Sequence, residues 1–356
     1  MKVTVLGAGG IAFGMAAFLV QKGNEVTLWS PSGKSTEGLG DSFKIQSTGA
    51  LEGDFEVAVA HSARSAVENA DVIILAVPGY GHKYVIDAVA PWLTNNQSFI
   101  YSSHSSFGAL YLSKCLAERK VALPIIVWGT TLLMSKRSEG TQVYCKPVRE
   151  EIDVGTVPES AIDHGMELCT RLFGDVFKAR DGLMAIALSN LNPQSHLALG
   201  LLNLTRIERG EAWNQNENLT RFVANVILAL DNERLALAAA FGLKVRTQHE
   251  HFALSRHVPM GDYYDMNQEF LRRSGGVMGP SSPNTRYVLE DVPFGLFVTT
   301  ILTRLVGQNA ETHEAGIKMM STAYGQDLTE LNDLVPAIGL DKMTKAELFQ
   351  KCKAGW

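Results

Sequence analysis

The stretch Gly7–Gly14, GAGGIAFG, follows directly on the apolar run Val3–Leu6 and leads into Ile11–Gln21, where Ile11, Met15, Phe18 and Leu19 fall at helical spacing. A strand, a glycine-rich turn and a helix in that order leave few folds open. Gly23 stands where a C-cap glycine closes a helix, and Glu25–Trp29 reads as the next strand. Gly7 permits the tight turn out of the first strand. Gly9 lets the backbone approach a pyrophosphate, and Ala12 is the small position that lets helix and strand pack closely. Gly10, Ile11 and Ala12 then lie in the first helical turn, whose free N–H groups and partial positive charge suit phosphate oxygens. The pattern G-x-G-x-x-A is weak alone. With a strand before it, a helix after it and a second strand ending about twenty residues on, it predicts a dinucleotide site.

The end of the second strand selects between the two nicotinamide dinucleotides. NAD sites usually place Asp or Glu there to bond the ribose 2′-hydroxyl. Here the stretch is WSPSGKS: Ser30 stands at the acidic position and Ser32, Lys34 and Ser35 follow. Hydroxyls and a lysine suit a 2′-phosphate, so NADP(H) is favoured, with NAD(H) as the alternative. Val72–Val77, VIILAV, is a continuous apolar run of the kind buried on both faces, and Val77-Pro78 ends it at the edge where ligands bind in such sheets. His82, in the loop that follows, has no partner signal and reads as a spectator or a phosphate neighbour.

Further strands are expected at Ser98–Tyr101 and Ile125–Trp128, with helices over Tyr84–Leu93 and Gly108–Arg119 between them. Strand–helix alternation at this pace implies a parallel sheet with crossover helices. Beyond about residue 180 strand signals fade and helical patterns take over: Leu183–Leu191, His196–Arg206, Phe222–Phe241, Val298–Leu305 and His313–Tyr324. Val258–Pro283, rich in Gly, Pro, Asp and Tyr, reads as a long loop or ordered excursion, and Leu328–Ala346 as a tail of short elements. The expectation is an α/β domain over residues 1–180, which binds the dinucleotide, and an all-α domain over 181–356, which carries substrate and catalysis. A chain of 356 residues suits two domains.

Composition narrows the partners. With 46% hydrophobic and 19% charged residues the chain reads as soluble and globular, and a formal net charge of −5 argues against a nucleic-acid surface. No apolar run approaches the roughly 20 residues that span a bilayer, and no signal peptide is expected. Cys115, Cys145, Cys169 and Cys352 are scattered, which fits free thiols in a cytoplasmic protein. His249-Glu250-His251 with His257 lacks the H-E-x-x-H spacing, so no metal is expected.

In the second half, ALSNLNPQSHLALGLLN places Asn192 and His196 four residues apart, with Pro193 marking a break or a helix start. Taken alone, His196 reads as a paired core histidine before it reads as a catalyst. GPSSPNTRYVLEDVPFGL adds Arg286, Glu290 and Asp291: an arginine able to grip a carboxylate and an aspartate able to orient a histidine. A structural salt bridge is the alternative.

The blocks VLGAGGIAFGMAAFLVQKG, ADVIILAVP, LSNLNPQSH, DNERLALAAAFGL and NTRYVLEDVPFGL, in that order, resemble the opine dehydrogenase family, of the octopine and nopaline dehydrogenase or N-(carboxyethyl)amino-acid dehydrogenase type. The resemblance implies a Rossmann domain, a helical domain and an active site between them. It implies condensation of a 2-oxo acid such as pyruvate with the amino group of an amino acid, using NADH or NADPH. On it, His196 matches the catalytic histidine, Asp291 its paired aspartate and Arg286 the substrate-carboxylate arginine; Asn192 lies where a polar neighbour of the site would be. Two alternatives stay open. One is a ketopantoate reductase or β-hydroxyacid dehydrogenase, though these rely on a lysine that the Asn192–Asn203 block lacks. The other is a non-catalytic NAD(P)-binding protein. A homodimer through the helical domain is the expected assembly.

Overall fold

The structure is a computed structural model describing residues 1–356. It divides into two compact units, Met1–Ala187 with Ala346–Trp356, and Leu188–Lys345. The boundary expected at residue 180 thus lies a few residues later. The last turns, expected in the helical half, group with the first unit, where the Trp356 N–H donates to Ser113 Oγ at 2.8 Å and the ammonium of Lys351 sits over the Trp356 ring.

The strands of the first unit are β1 (Lys2–Leu6), β2 (Glu25–Trp29), β3 (Ser42–Gly49), β4 (Gly53–Val59), β5 (Val72–Leu75), β6 (Ser98–Tyr101), β7 (Ile125–Trp128), β8 (Leu133–Arg137), β9 (Gln142–Val148), β10 (Ile152–Val157) and β11 (Phe177–Ala179). Its helices are α1 (Gly10–Gln21), α2 (Ala63–Val67), α3 (His82–Val89), α4 (Gly108–Glu118), α5 (Ile162–Phe173) and, at the boundary, α6 (Gly182–Leu188). All strands join one sheet in the order β11-β10-β7-β6-β5-β1-β2-β4-β3-β9-β8.

The middle of that order, β7-β6-β5-β1-β2, is parallel throughout. Every residue of β5, β6 and β7 is buried and all but Ser98 are apolar, as expected of strands with helices on both faces. Each fully buried large apolar side chain contributes roughly 1.5–3 kcal/mol. Strand order reverses at β1, between β2 and β5, and pairing of Leu6 with both Trp29 and Leu75 sets the glycine turn, Ser30 and Ala76-Val77 side by side at the sheet's carboxyl edge. That is the switch point where ligands of such sheets bind.

The sheet is mostly parallel, but three pairs are antiparallel: β3 with β4, β8 with β9, and β10 with β7. The hairpin strands alternate buried and exposed residues, as Phe55, Val57 and Val59 of β4 do, because only one face is covered.

The second unit contains α7 (Asn192–Leu202), α8 (Leu204–Glu208), α9 (Arg221–Ala240), α10 (Gln248–Arg256), α11 (Tyr263–Ser274), α12 (Arg286–Leu289), α13 (Phe297–Leu305), α14 (Glu311–Tyr324) and α15 (Leu334–Ile338); α16 (Lys345–Ala354) closes the chain. One core gathers around Leu197, Leu230, Val288, Val292 and Met320, and another around Leu199, Val223, Ile227 and Tyr263. The segment at 258–283, read as a long loop or an ordered excursion, holds α11. Asp262 caps its start by accepting the Asp265 N–H at 3.1 Å, and Gly275, at φ 72°, ends it in the left-handed conformation.

Candidate active site

On the first unit, each glycine of the turn has its own reason. Gly7 has φ 138°, and a Cβ there would lie 2.6 Å from the Ala76 carbonyl oxygen; its N–H donates to the Trp29 carbonyl at 2.8 Å. Gly9, the N-cap of α1, would direct a Cβ into open space, with nothing within 4 Å. The turn is therefore open where a pyrophosphate would approach. A Cβ on Gly10 would meet the Ser135 carbonyl oxygen at 2.6 Å, so this glycine admits strand β8. Ser135 Oγ donates to the Gly10 carbonyl at 2.8 Å. Ala12 is fully buried and Ile11 half-buried.

Past β2, a cavity of about 440 Å³ is lined by Ser30, Ser32, Lys34, Glu37, Ala60 and His61. Ser30 is buried, whereas Ser32 and Lys34 are exposed. Glu37 brings a carboxylate that the WSPSGKS stretch does not contain, and His61 is bonded to Asp41 at 2.8 Å. Sequence reasoning passed over Arg137. Its Nη1 donates to the carbonyls of Ala8 at 2.9 Å and Ser35 at 3.0 Å, tying the glycine turn to the serine–lysine loop, and its guanidinium sits 4.2 Å from the Phe13 ring centre. The carbonyl of Gly140 takes its Nε and Nη2, so Arg137 buttresses the two loops. No local pattern signals the tie, because Ala8 and Ser35 lie more than a hundred residues from Arg137 in the chain.

At the end of β5, Val77 is half-buried and Pro78 exposed. His82 turns inward, 1% exposed, with Nε2 3.1 Å from the Val77 carbonyl, so it props the strand end. Burial holds its pKa down to about 4, against a partial offset from that carbonyl. His104 is likewise buried, and burial together with the neighbouring His82 holds it at about 3.

On the second unit, Pro193 sits in the first turn of α7, and His196 follows one turn later. Nδ1 of His196 lies 2.7 Å from Oδ2 of Asp291, with side chains 16% and 5% exposed. Asp291 precedes a π-helical turn, Val292–Leu296, that follows α12. A carboxylate at Nδ1 fixes the proton there and leaves Nε2 as the exchangeable position. Tyr287 completes the group, its ring stacked on the imidazole at 3.6 Å between centres and 9° between planes. Burial, and then the charge of Asp291, push the Tyr287 hydroxyl up to about 12. Tyr287 and Asp291 are four apart, a spacing that puts them on one helical face, and this was the available sequence signal. Arg286 is exposed and ion-paired with Glu290 at 3.1 Å. Asn192 is exposed at the start of α7, with its N–H donated to Asn190 Oδ1 at 3.1 Å.

Two buried polar networks on α9 hold α7 in place. Arg234 binds Asp231 through Nε at 2.9 Å and Nη2 at 2.6 Å, and its Nη1 donates to the Leu188 carbonyl at 2.6 Å. Asp231 also accepts the Gln248 N–H at 2.9 Å, and the Gln248 side chain donates to the Leu191 carbonyl and to Ser195 Oγ, both at 3.1 Å. Glu233 accepts from His313 Nδ1 at 2.6 Å, and His313 Nε2 meets the Gln194 amide at 3.4 Å. Burial opposes the Glu233 charge, but hydrogen bonds from His313 and Thr312 hold its pKa down to about 2. Glu250 caps α10 in a box with Thr247, and no group of three or more His, Cys, Asp or Glu has metal-holding geometry. All four cysteines are free, and no helix is long and apolar enough to cross a membrane.

Two family models match the chain. Residues 179–324 match the α-helical domain of NAD/NADP octopine/nopaline dehydrogenases, and residues 3–158 match ketopantoate reductase PanE/ApbA. The chain is 28% identical to an opine dehydrogenase of Arthrobacter sp. (strain 1C), over 96% of this chain and 95% of that one. It is 24% identical to Protein ocs of Agrobacterium tumefaciens (strain Ach5), over 96% of each chain. Among solved structures, octopine dehydrogenase with NADH and L-arginine is similar at a TM-score of 0.81 and 17% identity, covering 99% of this chain and 98% of that one. Yersinopine dehydrogenase with bound NADP⁺ is similar at 0.70 and 16%, covering 96% and 98%. These structural likenesses speak for the fold.

A glycine turn at the switch point of a mostly parallel sheet, followed by a helical unit bearing a histidine–aspartate pair, defines a two-unit NAD(P)-dependent oxidoreductase. The ketopantoate reductase match stops within the first unit; the half that carries His196 and Asp291 matches the octopine and nopaline enzymes. Along 96% of its length the chain is similar to an opine dehydrogenase, and its helical half matches the α-helical domain of the octopine and nopaline enzymes.

Proposed function

We propose that the protein condenses a 2-oxo acid with the amino group of an amino acid and reduces the resulting imine to a secondary amine dicarboxylate, and that it also runs the reverse oxidation. The observation that carries this reading is the 2.7 Å contact between His196 and Asp291, inside the segment that matches the helical domain of octopine and nopaline dehydrogenases. Solved octopine dehydrogenases hold NADH with pyruvate, L-arginine or agmatine; for this chain we take the classes, a 2-oxo acid and an amino acid.

The residues of the first unit fit a dinucleotide: Gly7, Gly9, Gly10, Ile11 and Ala12 form the phosphate turn, and Val77 and Pro78 border it at the end of β5. When bound, the nicotinamide supplies the hydride. Ser30, Ser32 and Lys34 line the cavity beyond β2, and hydroxyls beside an ammonium favour a 2′-phosphate, hence NADP(H). On the second unit, His196 donates a proton through Nε2 to the departing carbinolamine oxygen or to the imine nitrogen, and accepts it back in the oxidation. Asp291 keeps the imidazole in the tautomer this needs and stabilises its cation. Arg286 exchanges Glu290 for the oxo-acid carboxylate, and Asn192 is a polar neighbour. The scattered free thiols suit the reducing cytoplasm.

The test is oxidation of NADPH and of NADH with pyruvate and a panel of amino acids. Turnover that requires both pyruvate and an amine is expected, with NADPH preferred. Lys34→Ala then raises the KM for NADPH about tenfold, as the loss of one charge-assisted contact does, without a matching change for NADH. The match of residues 3–158 favours one other reading, direct reduction of a 2-oxo acid. Turnover with the oxo acid alone, unchanged by any amine, would establish that reading instead.

A further inference from the structure

The product of the proposed reaction carries two carboxylates, one from each substrate, and Arg286 answers for only one of them. Arg256, the last residue of α10, offers a second cation. It is half-buried, with its guanidinium 4.6 Å from the Phe270 ring centre. Arg221, Arg273 and Arg304 of the same unit, all more exposed, are each paired with a carboxylate, and buried Arg234 is paired with Asp231. Arg256 has no ion pair and no hydrogen bond, only that ring and the nearby phenols of Tyr263 and Tyr287. A guanidinium removed from water without an anion is unfavourable, and burial accordingly pushes its pKa down.

Both phenols abut the His196 helix. Tyr287 stacks on the His196 imidazole itself. The Tyr263 hydroxyl donates at 3.3 Å to Gln248, whose amide holds Ser195, the residue before His196. The unpaired cation thus lies within electrostatic reach of two aromatic residues that contact the His196 helix. Its anion is the missing component, and a carboxylate matches a guanidinium in charge and in fork geometry.

We propose that Arg256 binds the α-carboxylate of the amino-acid substrate, so that Arg256 and Arg286 hold the two carboxylates of the imine on either side of the bond being reduced. This rests on the dehydrogenase reading for the identity of the carboxylates. An amine lacking the carboxylate would leave Arg256 desolvated and unpaired, so the site discriminates against it.

The test uses the full chain with two readouts. In calorimetric titration with iminodiacetate, the smallest secondary amine dicarboxylate, Arg256→Gln weakens binding about 10- to 100-fold, the usual effect of losing a charged hydrogen-bonding partner. Arg256→Lys restores part of it, and Arg221→Gln, at an exposed pair, leaves it unchanged. In turnover, Arg256→Gln raises the KM for the best amino acid by a similar factor, holds the KM for pyruvate within about twofold, and erases the preference for that amino acid over its decarboxylated amine. Its thermal midpoint stays at or above that of the parent, because removing an unpaired cation relieves desolvation. Unchanged iminodiacetate binding in the variant, absence of binding by the parent, or a rise confined to the KM for pyruvate would each overturn the proposal. A parent chain that binds iminodiacetate through Arg256 yet turns over no oxo acid with any amine would retain the carboxylate site and remove the dehydrogenase reading.

Discussion

Gly9 and Gly10 are neighbours in one turn, yet a methyl group added to each meets different surroundings. At Gly9 it meets nothing within 4 Å and the backbone is extended, so Gly9→Ala is expected to fold as the parent does, with the same melting temperature, and to raise the cofactor KM by about tenfold or more by filling the phosphate approach. At Gly10 it meets the backbone of Ser135 at 2.6 Å and of Arg137 at 3.0 Å, neither of which can swing aside. Gly10→Ala is therefore expected to lower the melting temperature, with a cost of about 1–3 kcal/mol as for other overpacked positions. If both variants lose stability equally, the open approach at Gly9 is not a ligand path. His196→Ala is expected to keep the fold and lower kcat by about 10²–10⁴, the range for a lost acid–base group. Turnover near that of the parent would remove His196 from the chemistry. Asp291→Asn keeps the hydrogen-bonding size but can donate to Nδ1 and so favour the other tautomer. It should depress kcat strongly with little change in KM, whereas a purely structural pair would show its effect in the melting curve.

At the scale of elements, the parts of the chain read best from sequence are those whose reasons are local. The central strands announce themselves as unbroken apolar runs, and Pro193 marks the start of α7 because proline suits a first helical turn. Helix α11 was hidden: its surroundings are rich in glycine and proline, and the helix between them depends on the Asp262 and Gly275 caps. The β3–β4 hairpin was hidden because a half-covered strand alternates and presents no apolar run. In the site, the histidine and the aspartate were legible as residue types, but the roles of Arg137 and of Gln248 depend on partners far along the chain. Gln248 carries a prediction at this scale. Gln248→Ala keeps its backbone bond to Asp231 and removes the side-chain bonds to Leu191 and Ser195, so α7 loses its hold just ahead of His196. We expect kcat to fall about tenfold with KM for the cofactor unchanged, since misplacement of a reacting group acts mainly on turnover. A fall in stability with unchanged kcat in the folded fraction would make this network a matter of folding alone. Arg234→Met tests the base of the same network. It leaves Asp231 buried without its partner and is expected to cost about 3–5 kcal/mol.

For the whole molecule, two buried histidines set how stability changes with acid. His82 and His104 are 1% and 4% exposed, and their pKa values are held at about 4 and about 3, against 6.5 for the ordinary residue. Between pH 6.5 and about 4 the unfolded chain takes up protons at these positions and the folded chain does not. Stability from their neutral burial is therefore complete above pH 6.5 and is lost progressively as the pH falls through this window. For His82 alone the effect is on the order of 3 kcal/mol. Glu233 acts in a different range: its carboxyl is held at about 2, so its contribution is present above its ordinary value of 4.5 and is lost between there and pH 2. Above pH 4.5 the histidines therefore account for the slope among these groups. Trp29, Trp92, Trp128 and Trp356 lie in the first unit with both histidines, so tryptophan fluorescence reports chiefly on that unit. Urea unfolding followed in this way should give a midpoint that drops steadily from pH 7 to pH 4.5. In a chain carrying His82→Gln and His104→Gln together, the midpoint at pH 7 is expected to be lower but its dependence on pH much flatter, because neither glutamine titrates. Equal slopes in the two chains would show that the histidines acquire protons in the folded state as readily as in the unfolded one, and the acid sensitivity of the sheet unit would then have to come from its carboxylates.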